Sequence, residues 1–454
     1  MTRDAGSLIL TVMSSLKRFR RYAMVAFASA FATIPLPSQA LQLSIVPKRS
    51  MVDEPVEITV RAQPNTLVAT KLAMQRFGST FSSEAAFKVP ASGVVRLSQQ
   101  APISGSYQGP NAMGLFWSAV PTSAKPSPYQ FTRNSELAPR PFTISASSGG
   151  NTIVANGVRT VQAENVERRV VDSPGMVATL FGPRSGCRRG VIVLSGSEGG
   201  VPEEQASVLA SHDLTTLAVA YFGAPGLPAS LTDIPIEVVQ RALEFMREQP
   251  SVCPHDAALF GGSKGAELAL LSASTFGGVR GVVALKPSSV VFFGLFGKSD
   301  NVSSWSFGGK PVPFANGSVP SSLKQAISAK ENAREKAAYV EDYLARLQNN
   351  TDSAAVIPVE RIAAPILLVA GSSDQLWPSA LMAQQIMQRR QSMAPRFEDQ
   401  LLIYPGAGHL IGIPFQFAKA ELAHSSLDLG GSAEADEAAD EQSWPIIVQF
   451  LQRP

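Results

Sequence analysis

Leu259-Phe260-Gly261-Gly262-Ser263-Lys264-Gly265-Ala266-Glu267-Leu268 reads as the end of a strand, a one-residue elbow and the opening of a helix. Apolar Ala257 to Phe260 supplies the strand, and Ala266 to Leu271 supplies strong helix formers. Gly261 and Gly265 flank Ser263 at the spacing of G-x-S-x-G, the nucleophile elbow. The requirement is steric. Side chains two positions either side of a serine on a strained turn would collide with the neighbouring strand or helix, and glycine removes the collision. Ser263 is therefore the candidate nucleophile.

The surrounding pattern predicts a parallel sheet with helices on both faces. Val191 to Leu194 is a continuous apolar run ending in Ser195-Gly196-Ser197-Glu198-Gly199-Gly200. Helices are expected at 203–210, 235–247, 379–390 and around 444–451, with apolar strands at 216–221, 257–260, 281–285, 365–370 and 400–404. Residues 292–348 interrupt the pattern and hold a helix near 323–344; such an insertion is either a cap over the site or a decoration.

A serine nucleophile needs a base and a carboxylate to orient it, and in this fold the acid and then the histidine follow the serine. The chain has four histidines. His212 ends a helix, His255 lies at the sheet's N-terminal edge and His424 sits in a polar segment. His409, in the glycine-rich loop Tyr404-Pro405-Gly406-Ala407-Gly408-His409 just past a strand, is the candidate base. Asp374 ends the strand-to-loop stretch beginning at Ile366 and is the candidate acid, with helix capping as its bland alternative. Asp352 and Asp399 are the runners-up. The oxyanion donors are expected to be the Lys264 backbone N–H and that of Ser197 or Glu198, with the Lys264 side chain facing solvent.

From Leu41 to Gly150 the chain reads as short strands punctuated by Gly, Pro, Asn and Ser, among them Val56 to Val60, Leu67 to Met74, Leu115 to Val120 and Pro141 to Ala146, which predicts a β-sandwich. The expected organisation is thus 41–150 sandwich, 151–165 linker and 166–454 catalytic domain, with Trp117 in the sandwich core. A chain of 454 residues, 45% hydrophobic and 17% charged, is long and apolar enough for both cores.

Lys17, Arg18, Arg20 and Arg21 precede an apolar run from Tyr22 to Ile34, and Ser38-Gln39-Ala40 offers a cleavage site. A run of thirteen residues falls short of the roughly 20 that span a bilayer, so residues 1–40 read as a secretory signal, with Met13 as a possible true start. The product is expected to be exported, periplasmic or secreted; without a working signal it is cytoplasmic. Removing residues 1–40 takes away five basic residues and one acidic, leaving 34 and 35 and a net charge of −1. With no basic block elsewhere, nucleic acid is not an expected partner, and no stable membrane insertion is expected after signal removal. Neither a metal-ligand pattern nor a phosphate loop is present. Cys187 and Cys253 are free to pair only if their Cα atoms approach within roughly 7 Å.

Several stretches together resemble one family, the acyl-CoA thioester hydrolases and bile acid-CoA:amino acid N-acyltransferases. They are Asp53-Glu54-Pro55-Val56, Gly105 to Gly109 with Met113 to Ser118, the elbow Gly262 to Glu267, Ile357 to Ile362, Asp374 to Ser379, Tyr404 to Ile411, and Leu429-Gly430-Gly431 with the acidic segment before Trp444. The resemblance implies an immunoglobulin-like domain on an α/β-hydrolase domain, a Ser263, Asp374, His409 triad, and coenzyme A only as part of a small-molecule substrate. It also implies water or an amine as acyl acceptor. Members that conjugate amino acids carry cysteine where this chain has Ser263, which favours hydrolysis. A signal peptide would send the protein where coenzyme A thioesters are scarce, so an exported carboxylesterase stays open beside an acyl thioesterase. A binding protein on a silent hydrolase scaffold is the third reading. Oligomeric state is not legible.

Overall fold

The computed structural model describes residues 40–76, 79–122, 137–299, 301–393, 397–417 and 427–453. The signal segment up to Gln39, the loop expected at Ser123 to Pro128, and His424 lie outside the described residues.

Residues after Ala40 form a β-sandwich. One sheet has three antiparallel strands, Gln42–Val46, Glu57–Arg61 and Val94–Arg96. The other is built around Leu67–Arg76, Ser79–Lys88, Arg140–Ser148 and Asn151–Thr160. Alternation does what it predicts: Ile58 and Val60 point inward while Glu57, Thr59 and Arg61 do not. Trp117 is buried in this core with Phe116, Phe142 and Tyr107.

Two expectations fail here. The stretch expected as a strand from Leu115 begins as a helical turn, Gly114–Trp117, and only Val120–Pro121 pairs as strand. The expected linker 151–165 is mostly strand. Asn151–Thr160 returns antiparallel along Arg140–Ser148 in the register Asn151 to Ser148. Gly149 and Gly150 both have positive φ (56° and 79°), so what reads as a boundary is a two-residue hairpin turn of the kind Gly-Gly favours.

The catalytic domain is an eight-stranded sheet: β1 (Val166–Ser173), β2 (Met176–Pro183), β3 (Arg188–Leu194), β4 (Leu214–Ala220), β5 (Val252–Gly262), β6 (Val282–Leu285), β7 (Ile366–Gly371) and β8 (Gln400–Tyr404). Their spatial order is β1-β2-β4-β3-β5-β6-β7-β8, with β2 running against both neighbours and every other adjacent pair parallel. Helices α1 (Glu203–Ala210), α2 (Glu237–Glu248), α3 (Lys264–Phe276), α4 (Ser321–Ala333), α5 (Val340–Gln348), α6 (Ser379–Met393) and α7 (Ala433–Gln452) complete it. Along β3, Ile192 and Leu194 enter one apolar layer, and Val191 and Val193 enter the other. Both faces are covered, which is why the strands are continuous apolar runs. This is an α/β-hydrolase fold.

Helix α7 starts eleven residues before the stretch legible at Trp444. Ser432 caps it by accepting the Ala435 N–H at 3.1 Å. The insertion holds two helices rather than one, because Arg334 turns left-handed (φ 59°) between α4 and α5. Cys187 and Cys253 are joined, with Cα atoms 5.5 Å apart, tying the start of β3 to β5. Closing a loop with a sequence separation of 66 contributes about 4 kcal/mol in the chain-entropy account. No helix among the described residues is long and apolar enough to cross a membrane.

Candidate active site

Ser263, Asp374 and His409 each follow the C-terminal end of a strand, β5, β7 and β8 respectively, so the parallel sheet delivers all three to one edge. Ser263 sits on the elbow at φ 55° and ψ −122°, a region that residues with side chains rarely occupy. Its N–H donates to Leu285 O at 2.8 Å, and α3 begins at once behind it. The flanking glycines are forced by close approach. A Cβ on Gly261 would lie 2.3 Å from Gly265 O, and one on Gly265 would lie 2.4 Å from Ser195 O.

The three side chains form one hydrogen-bonded line. His409 Nε2 lies 3.0 Å from Ser263 Oγ, and His409 Nδ1 lies 2.8 Å from Asp374 Oδ2. Asp374 is buried and multiply held. Its Oδ1 accepts the N–H groups of Leu376 (2.9 Å) and Trp377 (3.2 Å), and its Oδ2 also accepts the Ser379 hydroxyl at 2.6 Å. The carboxylate thus faces the histidine, and the backbone N–H groups it accepts precede α6, so the bland alternative of capping that helix's amides is not what it does; its contact with α6 is the Ser379 hydroxyl. Trp377 packs edge-on against the imidazole, with centroids 5.9 Å apart.

The other candidates are accounted for differently. His212 bonds Asp53, which raises its pKa, and His255 lies exposed in the N-terminal half of β5. Asp352 caps a 3-10 turn through Ala354 N–H, and Asp399 pairs with Arg390 at 2.8 Å. Neither lies against His409.

In the loop after β3, Gly196 N–H is taken by the Glu198 carboxylate at 2.7 Å, Gly199 N–H by Gly196 O and Gly200 N–H by Phe222 O. The backbone N–H groups of Ser197, Glu198 and Lys264 donate to no acceptor among the described residues. Ser197, Ser263 and Lys264 border one cavity of about 490 Å³. Its walls are largely apolar, with Phe293, Leu295, Phe296, Tyr343 and Trp377, and α4 closes one side with Ile327 and Lys324. A larger groove of about 580 Å³ beside Gln385 and Arg389 touches none of the three aligned residues.

One expectation is overturned. The Lys264 side chain does not face solvent; it is 1% exposed. One helical turn on, Glu267 faces the same way, and Lys264 Nζ donates to its two oxygens at 2.9 and 3.1 Å. Glu267 also accepts Trp305 Nε1–H at 2.7 Å and Phe292 N–H at 3.3 Å, so the insertion seals the pair. Burial pushes the Lys264 pKa down and that of Glu267 up, each opposed by the partner's charge. The i, i+3 spacing of Lys264 and Glu267 was readable in the sequence, but what covers them was not. Trp305 carried no signal beyond its residue type, and Ser379 only its place at the end of the Asp374 to Ser379 stretch.

Two family profiles match the chain. Residues 53–175 match the acyl-CoA thioester hydrolase/BAAT N-terminal region, and residues 234–454 match the BAAT/acyl-CoA thioester hydrolase C-terminal region. The chain is 28% identical over 432 residues to acyl-coenzyme A amino acid N-acyltransferase 1 of Mus musculus, covering 91% of this chain and 97% of that one. It is 29% identical over 435 residues to the bile acid-CoA:amino acid N-acyltransferase of Mus musculus, covering 91% and 97%. To acyl-coenzyme A thioesterase 6 of Homo sapiens it is 27% identical over 416 residues, covering 88% and 93%. Hydrolases and transferases thus stand at equal distance, and similarity alone does not choose between them.

Proposed function

Because the chain belongs to the acyl-CoA thioester hydrolase/bile acid-CoA:amino acid N-acyltransferase family, we propose that it is a serine-dependent acyl thioesterase working through an acyl-enzyme. The hydrogen-bonded line from Ser263 through His409 to Asp374 carries this reading. His409 Nε2 takes the Ser263 proton as Oγ attacks the thioester carbonyl. The Lys264 N–H and that of Ser197 or Glu198 receive the oxyanion; each is without an acceptor among the described residues. Collapse expels the thiolate, which takes the proton back from His409. Water, deprotonated by the same nitrogen, then splits the Ser263 ester and releases the acid. Serine favours water over an amine as acceptor, because an oxygen ester is less activated towards amines than a thioester on cysteine would be.

Lys324 supports a polyanionic carrier. It is exposed on α4 at the cavity and pairs with no carboxylate among the described residues. Lys324→Glu is expected to lower kcat/KM on palmitoyl-CoA by roughly 10-fold while leaving p-nitrophenyl esters unchanged. Equal effects on both substrates would remove Lys324 from carrier recognition. A wild-type enzyme that cleaves the esters but not the thioester would remove the thioesterase reading itself.

That last outcome is the second reading, an exported carboxylesterase. The Cys187–Cys253 disulfide favours it, since such bonds persist in oxidising compartments. The same observation supports the reading of residues 1–40 as an export signal. Protein from the periplasmic or extracellular fraction is expected to start at Leu41 and to take up no thiol reagent until reduced. Recovery of an intact N-terminus with two reactive thiols in the cytoplasm would contradict export.

A further inference from the structure

The loop that carries His409 is anchored outside its own sheet. Three carboxylates on α7 hold its backbone: Asp436 accepts Gly408 N–H at 2.6 Å, Asp440 accepts Gly412 N–H at 2.5 Å, and Glu437 accepts Phe415 N–H at 2.6 Å. Asp436, Glu437 and Asp440 lie within one turn of the helix, all buried, so they present a single polar row to the loop. From the other side Lys286, at the end of β6, donates from Nζ to Ile411 O at 2.7 Å. Burial lowers its pKa to about 8, against the charges of Glu198, Asp374 and Asp436.

The loop then enters the β-sandwich. Phe415 turns left-handed (φ 60°), and Phe417 is buried in the sandwich core, 4.5 Å from Phe81 between ring centroids. The Arg76 guanidinium lies 5.9 Å from the Phe417 centroid, and Arg140 Nη1 donates to Gln416 Oε1 at 3.0 Å. The same two arginines reach the opposite side of the cleft. Arg76 and Arg140 pair with Glu204 at 2.7 and 2.8 Å, on the first turn of α1, directly after the glycine loop that holds Ser197.

We propose that the β-sandwich is a positioning element of the active site, fixing the His409 loop through the Phe417 socket and, with the α7 carboxylate row, setting the imidazole against Ser263. A socket eight residues from the base, a carboxylate row along the same loop and arginines bridging to the oxyanion side are more than a domain needs in order to pack. Phe417, Asp436 and Arg140 are positioning residues; none touches the reacting atoms. The inference rests on the triad reading of the preceding subsection.

The test uses the full chain with Phe417→Ala, Phe417→Leu, Asp436→Asn and, as control, Val95→Ala, which hollows the same sandwich from its three-stranded sheet. Phe417→Ala and Asp436→Asn are expected to lower kcat on palmitoyl-CoA by roughly 10- to 100-fold with KM little changed, because a small displacement of the base acts on the chemical step. Phe417→Leu, which refills the socket, is expected to recover most of the loss. Val95→Ala is expected to lower the melting temperature and leave kcat alone. If Phe417→Ala does not fold, Asp436→Asn against Val95→Ala decides. Unchanged kcat in Phe417→Ala or, if that variant does not fold, in Asp436→Asn would overturn the proposal, as would an equal loss in Val95→Ala at equal destabilisation. Activity surviving in Ser263→Ala would overturn the triad reading and this inference together; a dead Ser263→Ala beside a fully active Phe417→Ala would overturn this inference alone.

Discussion

Ser263→Ala is expected to lower turnover of palmitoyl-CoA by about 10⁶, the loss seen when the nucleophile of a comparable triad is removed. The substitution should leave the fold intact. Among the described residues the Ser263 side chain is held only through His409, while the elbow is fixed by main-chain contacts: Ser263 N–H to Leu285 O, and the Gly261 and Gly265 approaches. Alanine keeps the Cβ that φ 55° already tolerates. A variant with an unchanged melting temperature and wild-type hydrolysis of palmitoyl-CoA and p-nitrophenyl esters would refute covalent catalysis at Ser263. Residual activity of the oxyanion donors, about 10³ over water, is the floor expected after the loss.

Asp374→Asn is expected to lower kcat/KM by about 10⁴ without loss of structure. Oδ1 of Asp374 faces the N–H groups of Leu376 and Trp377, so an asparagine oxygen settles there. The amide nitrogen then points at His409 Nδ1, where Oδ2 now lies. That ring nitrogen must accept instead of donate, which places the proton on Nε2 and leaves nothing to take the Ser263 proton. The Ser379 hydroxyl can reverse to accept, so that contact survives. A loss smaller than about 100-fold would mean that Asp374 holds the turn before α6 without orienting His409.

The three aligned residues were legible because each ends an apolar strand, and strand ends in a parallel sheet converge whatever lies between them in sequence. The elbow was legible because glycine at both flanks has a steric cause. What escaped the sequence was settled by packing between distant segments. Lys264 reads as a surface residue until Phe292 and Trp305 close over it. The start of α7 is acidic and alanine-rich, which resembles a solvated face; its buried carboxylates make sense only against the Gly408, Gly412 and Phe415 amides. Asn151–Thr160 reads as a linker when Gly149-Gly150 marks a boundary, yet Gly-Gly between strand-like runs is itself a hairpin signal. The cysteine pairing depended on strand register, which spacing does not give.

The central claim is that the acyl group passes through an ester on Ser263. Mixing the enzyme with palmitoyl-CoA, quenching in acid within the first turnover and mapping the adduct by peptide mass spectrometry tests it most directly. The account predicts one palmitoyl group on the peptide containing Ser263, absent in Ser263→Ala and lost from the wild type as acid is released. Palmitate released by the wild type with no adduct at any quench time, or an adduct on another residue, would contradict it.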